Sequence, residues 1–293
     1  MPRDLPHLGR FLAGKVLRLG QQQLDTLFFQ GRVLLNGQSV PAETAVCRGD
    51  LVTIRQRDRR ILPEKLEVQV LFEDAHCLVI NKPAGMAMHP GLGTYGGTVL
   101  NWLAWHVGQA LEATAVASVS AVMLQQAVVH RLDKATSGLL VLAKTKGANQ
   151  HLHRQFAEGS TQRQYKARVW GSPSPESGSI NLPLGRDPEQ SALIRVDAVG
   201  SFGKAALTHY QLLEKHGDTS LLALFPQTGR THQLRIHLHH IGHGIVGDLR
   251  YVQDRQPVGF SSKRLALHAA SLRFTHPVEG HCCSFESALP ADF

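Results

Sequence analysis

The nine residues HRLDKATSG, His130 to Gly138, set one acid, Asp133, between two cations, Arg131 and Lys134. Val128, Val129 and Leu132 flank them on one side and Leu139 to Ala143 on the other. A carboxylate drawn into apolar surroundings must be paired, or its pKa rises until it neutralises. Asp133 is therefore the first candidate for a working group, with a structural ion pair as the competing reading. Two more segments concentrate polarity. TGRTHQLRIHL gathers Arg230, His232, Arg235 and His237 around a helix start. Arg235 lies three residues past His232 and so on a common face, with His239 a turn further. In the strand QRQYKARVWG side chains alternate, so Tyr165 points inward with Ala167 and Val169. A lone buried tyrosine more often just donates one hydrogen bond.

Other chemistries leave weaker traces. Seventeen histidines include His239 and His243 at HxxxH spacing, yet no Glu follows the first as in HExxH. No metal is expected. Ser137 stands in ATSG, outside a GxSxG elbow. The phosphate-binding GxxxxGK[ST] and dinucleotide GxGxxG patterns are read as missing, which leaves no nucleotide-cofactor signal.

The elements that must position these residues come from a chain of 293 residues, 43% hydrophobic, enough for a small domain and a larger one. No apolar run approaches a membrane span, MPRDLPHLGR does not read as a signal peptide, and four cysteines form no CxxC pair. A reduced cytoplasmic protein without membrane contact, acting as a monomer, is expected. Net charge is +8 and the pI about 9.6, which points to a polyanion. Residues 1–60 hold ten cations against five acids, so the front of the chain carries most of the excess.

Leu8, Phe11, Leu12, Val16 and Leu19 recur at helical spacing, with Gly20 as a stop. QQQLDTLFFQG fits a second helix. RVLLNGQSV gives a strand and an Asn36-Gly37 hairpin turn, and GDLVTIRQR another strand. The charged stretch RDRRILPEK, with Pro63, reads as a linker. Beyond it LEVQVLFED and CLVINK read as neighbouring strands, NKPAGMAMHPG as a shaped loop, and TVLNWLAWHV as a helix. Residues 110–125 form an excursion with no assigned role. GLLVLAKT is a strand, and KGANQHLHRQFAEG a helix with Leu152 and Phe156 on one face. Further strands follow, and TGRTHQLRIHL opens a helix capped by Thr228 or Thr231. Mostly short links argue for antiparallel or mixed pairing.

Together HRLDKATSGLLVLAKT, NKPAGMAMHPG, QRQYKARVWG, TGRTHQLRIHL with GHGIVGD, and LALHAASLRFTHP resemble the successive motifs of RluA-type RNA pseudouridine synthases. Residues 8–57 resemble the alpha-L RNA-binding motif of a small-subunit ribosomal protein, on GRVLLNGQSV and RGDLVTI. The resemblance implies an α+β fold: residues 1–57 an alpha-L-like RNA-binding domain, 58–66 a linker, and 67–293 a catalytic domain on a mixed, largely antiparallel sheet. It implies isomerisation of uridine in structured RNA, ribosomal RNA before transfer RNA, with no cofactor or metal. A non-catalytic RNA-binding or ribosome-assembly factor with the same fold is the rival reading. Asp133 matches the family's catalytic aspartate, Tyr165 its tyrosine, and Arg235 the arginine partner of that aspartate, in a pair that could be bidentate. Arg131 matches the residue that enters the RNA where the uridine leaves; Lys134, Arg230, His232 and Lys82 are expected at the RNA. Whether Asp133 attacks carbon 1′, attacks the base, or takes a ribose proton stays open. Two places depart from the usual pattern: Gly244 stands where GHPIVGD has proline, and Arg250-Tyr251-Val252 replaces Leu-Tyr-Gly.

Overall fold

A computed structural model describes residues 7–13, 21–55, 61–91, 94–110, 121–187, 193–197, 200, 202–252 and 264–293. Val16, Leu19 and Gly20 of the first expected helix, residues 58–60 of the linker, and 111–120 of the excursion lie outside them. The chain divides into two compact units, Met1–Arg59 and Arg60–Phe293.

In the first unit α1 (Leu8–Phe11) and α2 (Gln21–Phe29) accompany a sheet of β1 (Val33–Leu35), β2 (Gln38–Ser39) and β3 (Val52–Ile54). Leu8, Leu12, Leu24, Val33 and Val46 form its core. Asn36 and Gly37 both take positive φ, 50° and 86°, the backbone a two-residue hairpin turn requires. The Asn36 side chain also accepts from Leu51 N and donates to Asp50 Oδ1, each at 2.9 Å, fastening the hairpin tip to the approach to β3.

The linker reading is corrected in its second half. Ile61 and Leu66 pack on the large unit's core, and Asn101 Nδ2 donates to Leu62 O at 2.8 Å. Glu64 accepts from Gly97 N at 2.7 Å. Pro63 prevents regular structure here, but the two apolar side chains bury and hold the segment down.

The large unit contains β4 (Gln69–Glu73), β5 (Cys77–Lys82), α3 (Val99–Ala110), α4 (Ala121–Gln126), β6 (Ser137–Ala143), α5 (Lys146–Glu158), β7 (Gln162–Trp170) and β8 (Ser177–Asn181). It continues through β9 (Leu184–Arg186), β10 (Ile194–Val196), β11 (Leu207–His216), β12 (Thr219–Pro226), α6 (Gln233–His240), β13 (Leu267–Thr275) and β14 (Cys282–Glu286). The main sheet runs β4-β5-β6-β13-β7-β12-β11-β8, with β14 on β13. β13 and β6 pair in parallel and the other neighbours antiparallel, so the sheet is mixed and largely antiparallel.

Alternation along the strands feeds two cores. Leu78, Ile80, Leu140 and Leu142 face one layer with α3 and α4, while Cys77, Val79, Leu139 and Val141 face another with Leu152 of α5. Both faces of β6 are therefore covered, which is why it reads as an unbroken apolar run. Thr145 caps α5 by accepting from Ala148 N, and Gly159, at φ 73°, ends it.

One row of this sheet sets the site. Gly138 opposes Ala269, and Ala269 opposes Tyr165, so the end of HRLDKATSG lies two strands from the tyrosine. Gly138 has φ 112°, and a Cβ there would stand 2.3 Å from the Ala269 carbonyl oxygen. Backbone strain of about 1–3 kcal/mol and overpacking of about 1–3 kcal/mol would both fall on Gly138→Ala. The expected result is a loss of about 2 kcal/mol or more in urea unfolding; an unchanged midpoint would contradict the close approach.

Candidate active site

The loop carrying Asp133 is fixed at both ends. His130 Nε2 accepts from Val141 N at 3.1 Å, and its ring stacks on Phe156 at 4.3 Å. Burial, with help from Arg163, pulls that imidazole down to about 3, so it stays a neutral acceptor. At the far end Ser137 Oγ and His268 Nδ1 lie 2.8 Å apart, and Arg264 NH2 reaches the same hydroxyl. Both residues are buried, so this serine-histidine pair supports the sheet.

Lys82 was expected at the RNA, and the structure corrects this. Its side chain is fully buried, donating to the carbonyls of Pro83 and Met86 at 2.9 Å and, more weakly, Lys134 at 3.4 Å. The reason is alternation: residue 82 follows Leu78 and Ile80 on one face of β5. Burial pulls its ammonium down to about 7, against a smaller opposing effect of Asp133. Lys82 thus joins the NKPAG loop to the Asp133 loop.

The other wall is the turn from β12 into α6. Neither threonine caps this helix; the cap position is His232, at φ 56° with no side-chain cap bond. The turn is held by Gln233, whose Oε1 accepts from Thr228 Oγ1 and Arg230 N, and whose Nε2 donates to Leu207 O and Thr208 Oγ1. This bent backbone frees the His232 ring to turn inward. Nδ1 sits 2.7 Å from the Tyr251 hydroxyl and Nε2 3.9 Å from Asp133 Oδ2. Burial lowers the His232 pKa and outweighs the opposing pull of Asp133.

Arg235 NH1 stands 3.4 Å from Asp133 Oδ2. The bidentate pair lies elsewhere: Nε and NH2 donate to the two oxygens of Asp248, at 2.8 and 2.7 Å. Asp248 is buried and also accepts from Arg250 N and Tyr251 N. Burial alone would raise its carboxyl; the Arg235 bonds and charge, with those amides, hold it below the usual range. Arg235 also lies over the Tyr251 ring, 5.1 Å from its centre. The fork is therefore spent on Asp248, leaving one long contact for Asp133.

Asp133, Tyr165 and Arg235 line one cavity of about 100 Å³, together with Arg131, Arg230 and His232. That is small against the roughly 300–1,000 Å³ of drug-sized sites. Arg131 and Arg230 are exposed at it, Arg230 holding the Ala205 carbonyl through Nε. Tyr165 is buried, which raises its hydroxyl pKa against a lowering effect of Arg163. Lys134 instead lines a neighbouring hollow of about 900 Å³ with Arg250 and Arg264.

Among groups able to hold a metal, Asp74, Cys77 and His276 bring ligand atoms within 4.8 Å of one another. The His276 nitrogens are already engaged, Nε2 with Asp74 at 2.7 Å and Nδ1 with Glu279 N at 2.9 Å, and burial pushes the Cys77 thiol up to about 12. Nδ1 of His243, from the HxxxH pair, lies 2.9 Å from the Trp170 carbonyl. The absence of a GxGxxG pattern is corrected, because Gly91, Gly93 and Gly96 carry that spacing, but β5 ends at Lys82 and among the described residues no strand leads into the run. The two departures from the family pattern meet: a Cβ on Gly244 would stand 2.5 Å from Val252, whose buried side chain fills that space.

The mixed sheet thus brings a carboxylate, an arginine and a tyrosine around one small cleft. Residues 76–240 match the model of the RNA pseudouridylate synthase family. An uncharacterised RNA pseudouridine synthase of Chlorobaculum parvum is 36% identical over 97% of this chain and 91% of its own. The ribosomal large subunit pseudouridine synthase D of Zymomonas mobilis is 36% identical over 97% and 90%. The solved structure of human RNA pseudouridylate synthase domain containing 1 is similar at a TM-score of 0.58 and 25% identity, covering 80% of this chain and 86% of that one. The chain belongs to the RluA-type RNA pseudouridine synthases, isomerases that convert uridine to pseudouridine in RNA.

Proposed function

We propose that this synthase acts on large-subunit ribosomal RNA, with Asp133 as its catalytic carboxylate and the target uridine flipped into the cleft. The observation that carries the reading is the meeting of Asp133, Tyr165 and Arg235 at one cavity, with Arg235 NH1 3.4 Å from the carboxylate. The name of the Zymomonas mobilis relative supports the ribosomal target.

In this reading Asp133 acts as nucleophile or base, and Arg235, locked by Asp248, presents a fixed positive charge to it. Tyr165 offers a flat face to the base and a hydroxyl for proton removal at carbon 5. Extruding the uridine costs about a few kcal/mol of stacking and pairing. Arg131, exposed at the cleft, would fill the gap left in the RNA, and Arg230, His232 and Lys134 would contact it nearby. Protein-free large-subunit RNA and total transfer RNA, each tritiated at carbon 5 of uridine, test the target. Tritium release from the ribosomal RNA is expected; release from transfer RNA alone would overturn the assignment.

The first unit would add affinity through phosphate contacts. Deleting residues 1–57 is expected to weaken RNA binding and flatten its salt dependence, because fewer counterions are released. Binding titrations over a salt series check this, and an unchanged slope would count against it.

A further inference from the structure

Turning uridine into pseudouridine exchanges the bond from carbon 1′ to N1 for one from carbon 1′ to carbon 5. When the first bond breaks, its electron pair stays on the base, leaving uracil an anion with charge on N1 and both carbonyl oxygens, while Asp133 satisfies carbon 1′ by bonding to it or by taking a ribose proton. The base then turns, carbon 5 bonds to carbon 1′ as Asp133 leaves or returns its proton, the carbon 5 hydrogen leaves as a proton, and N1 gains one. Between the two bonds the pocket must keep a turning anion. A cation serves this better than one fixed set of hydrogen bonds, because its attraction survives the rotation.

Arg235 is committed to Asp248 and Asp133, while Arg131 and Arg230 are exposed. One cation of the cavity remains. Arg163 precedes Tyr165 by two residues on β7, so both side chains leave the same face of the strand, and both line the cavity. NH2 donates to the Pro226 carbonyl at 3.1 Å, and the guanidinium lies 5.7 Å from the centre of the Phe156 ring. No ion pair among the described residues involves Arg163, and its buried Nε has no acceptor. Gly229 lines the same cavity, and a Cβ there would stand 3.5 Å from NH1, an ordinary contact distance. A half-buried guanidinium with no carboxylate partner is costly to keep, which points to an anion that arrives only with the substrate.

We propose that Arg163 is a further catalytic residue, the cation that holds the detached uracil anion while it turns. Its lowering effect on the Tyr165 hydroxyl agrees with a guanidinium close to that ring. The inference rests on the reading that the Asp133 cleft is the reacting centre.

Single-turnover conversion of tritiated RNA at saturating enzyme, with RNA affinity measured alongside, tests it on Arg163→Gln, Arg163→Lys and Asp133→Asn. The glutamine variant is expected to lose about 100-fold or more in rate, the size of losing one preorganised charge-stabilising group. The lysine variant keeps the positive charge, if not the guanidinium plane, so it should stay within about tenfold of wild type, with RNA affinity little changed. Free labelled uracil released from the RNA should rise in the glutamine variant, which a purely structural role would not cause. The proposal is overturned if the glutamine variant reacts at the wild-type rate, if its defect vanishes at saturation as for a phosphate contact, or if a folded lysine variant is as slow as glutamine. Should glutamine prevent folding, the lysine variant decides alone. Full activity of Asp133→Asn would sink the underlying reading instead.

Discussion

Asp133→Asn is expected to abolish pseudouridine formation, by at least about 1,000-fold, while RNA affinity changes less than about threefold. The asymmetry follows from where the residue sits. Asp133 lies inside a small cavity, and the exposed cations Arg131 and Arg230 stand at the same cavity and would carry the RNA. Asparagine keeps the shape and one carbonyl acceptor for Arg235 NH1, but removes the charge needed for a nucleophile or base. The Arg235–Asp248 fork does not depend on Asp133, so the fold should be spared. Counting pseudouridines in the product and titrating RNA binding would check both halves. A variant that loses affinity in step with activity would mean that Asp133 serves binding or folding.

Asp248→Ala is expected to lower both stability and turnover. Asp248 is buried and takes two bonds from Arg235 and two from backbone amides. Removing one partner of a buried ion pair strands the other charge, at about 3–5 kcal/mol. Arg235, freed of its fork, can also swing away from Asp133, so the rate at saturating RNA should fall. Replacing both partners, Asp248→Ala with Arg235→Met, should unfold less readily than Asp248→Ala alone, because no buried charge remains unpaired. Activity should stay lost in that double variant. The pH dependence has a definite sign. Because the folded carboxyl is held below its ordinary value, its stabilisation is complete above the unfolded value of about 3.9 and drains away as pH falls towards the lower folded value. Urea midpoints for the three proteins at neutral and acid pH would show it; equal stability of wild type and Asp248→Ala would contradict it.

What could be read from the sequence was what local rules control. Tyr165 faces inward because strand side chains alternate, and Asn36-Gly37 turns because both residues tolerate positive φ. The partner of Arg235 was not legible in that way. Asp248 lies thirteen residues away, and only the fold of the chain after α6 brings it onto the guanidinium. The helix cap was missed because Thr228 and Thr231 are residue types that cap through their side chains, whereas the residue at the cap is His232, with a left-handed backbone and no side-chain cap bond. Its strain is held by Gln233, whose side chain closes the turn. Lys82 is a different kind of miss. Its inward face follows from Leu78 and Ile80, but the charge of the side chain argued for the surface, and three carbonyls proved enough to bury it. Arg163 shares a face of β7 with Tyr165, but nothing local marks it out, and only the cavity gives it a role to propose.

In the proposed reaction Asp133 is the carboxylate through which uridine is isomerised. The most direct measurement is one turnover of tritium release from RNA labelled at carbon 5 of uridine, with wild type and Asp133→Asn side by side at saturating enzyme. Release from wild type in step with pseudouridine formed, and none above background from the variant, is predicted. Near-normal release by Asp133→Asn would show that the reaction does not need this carboxylate.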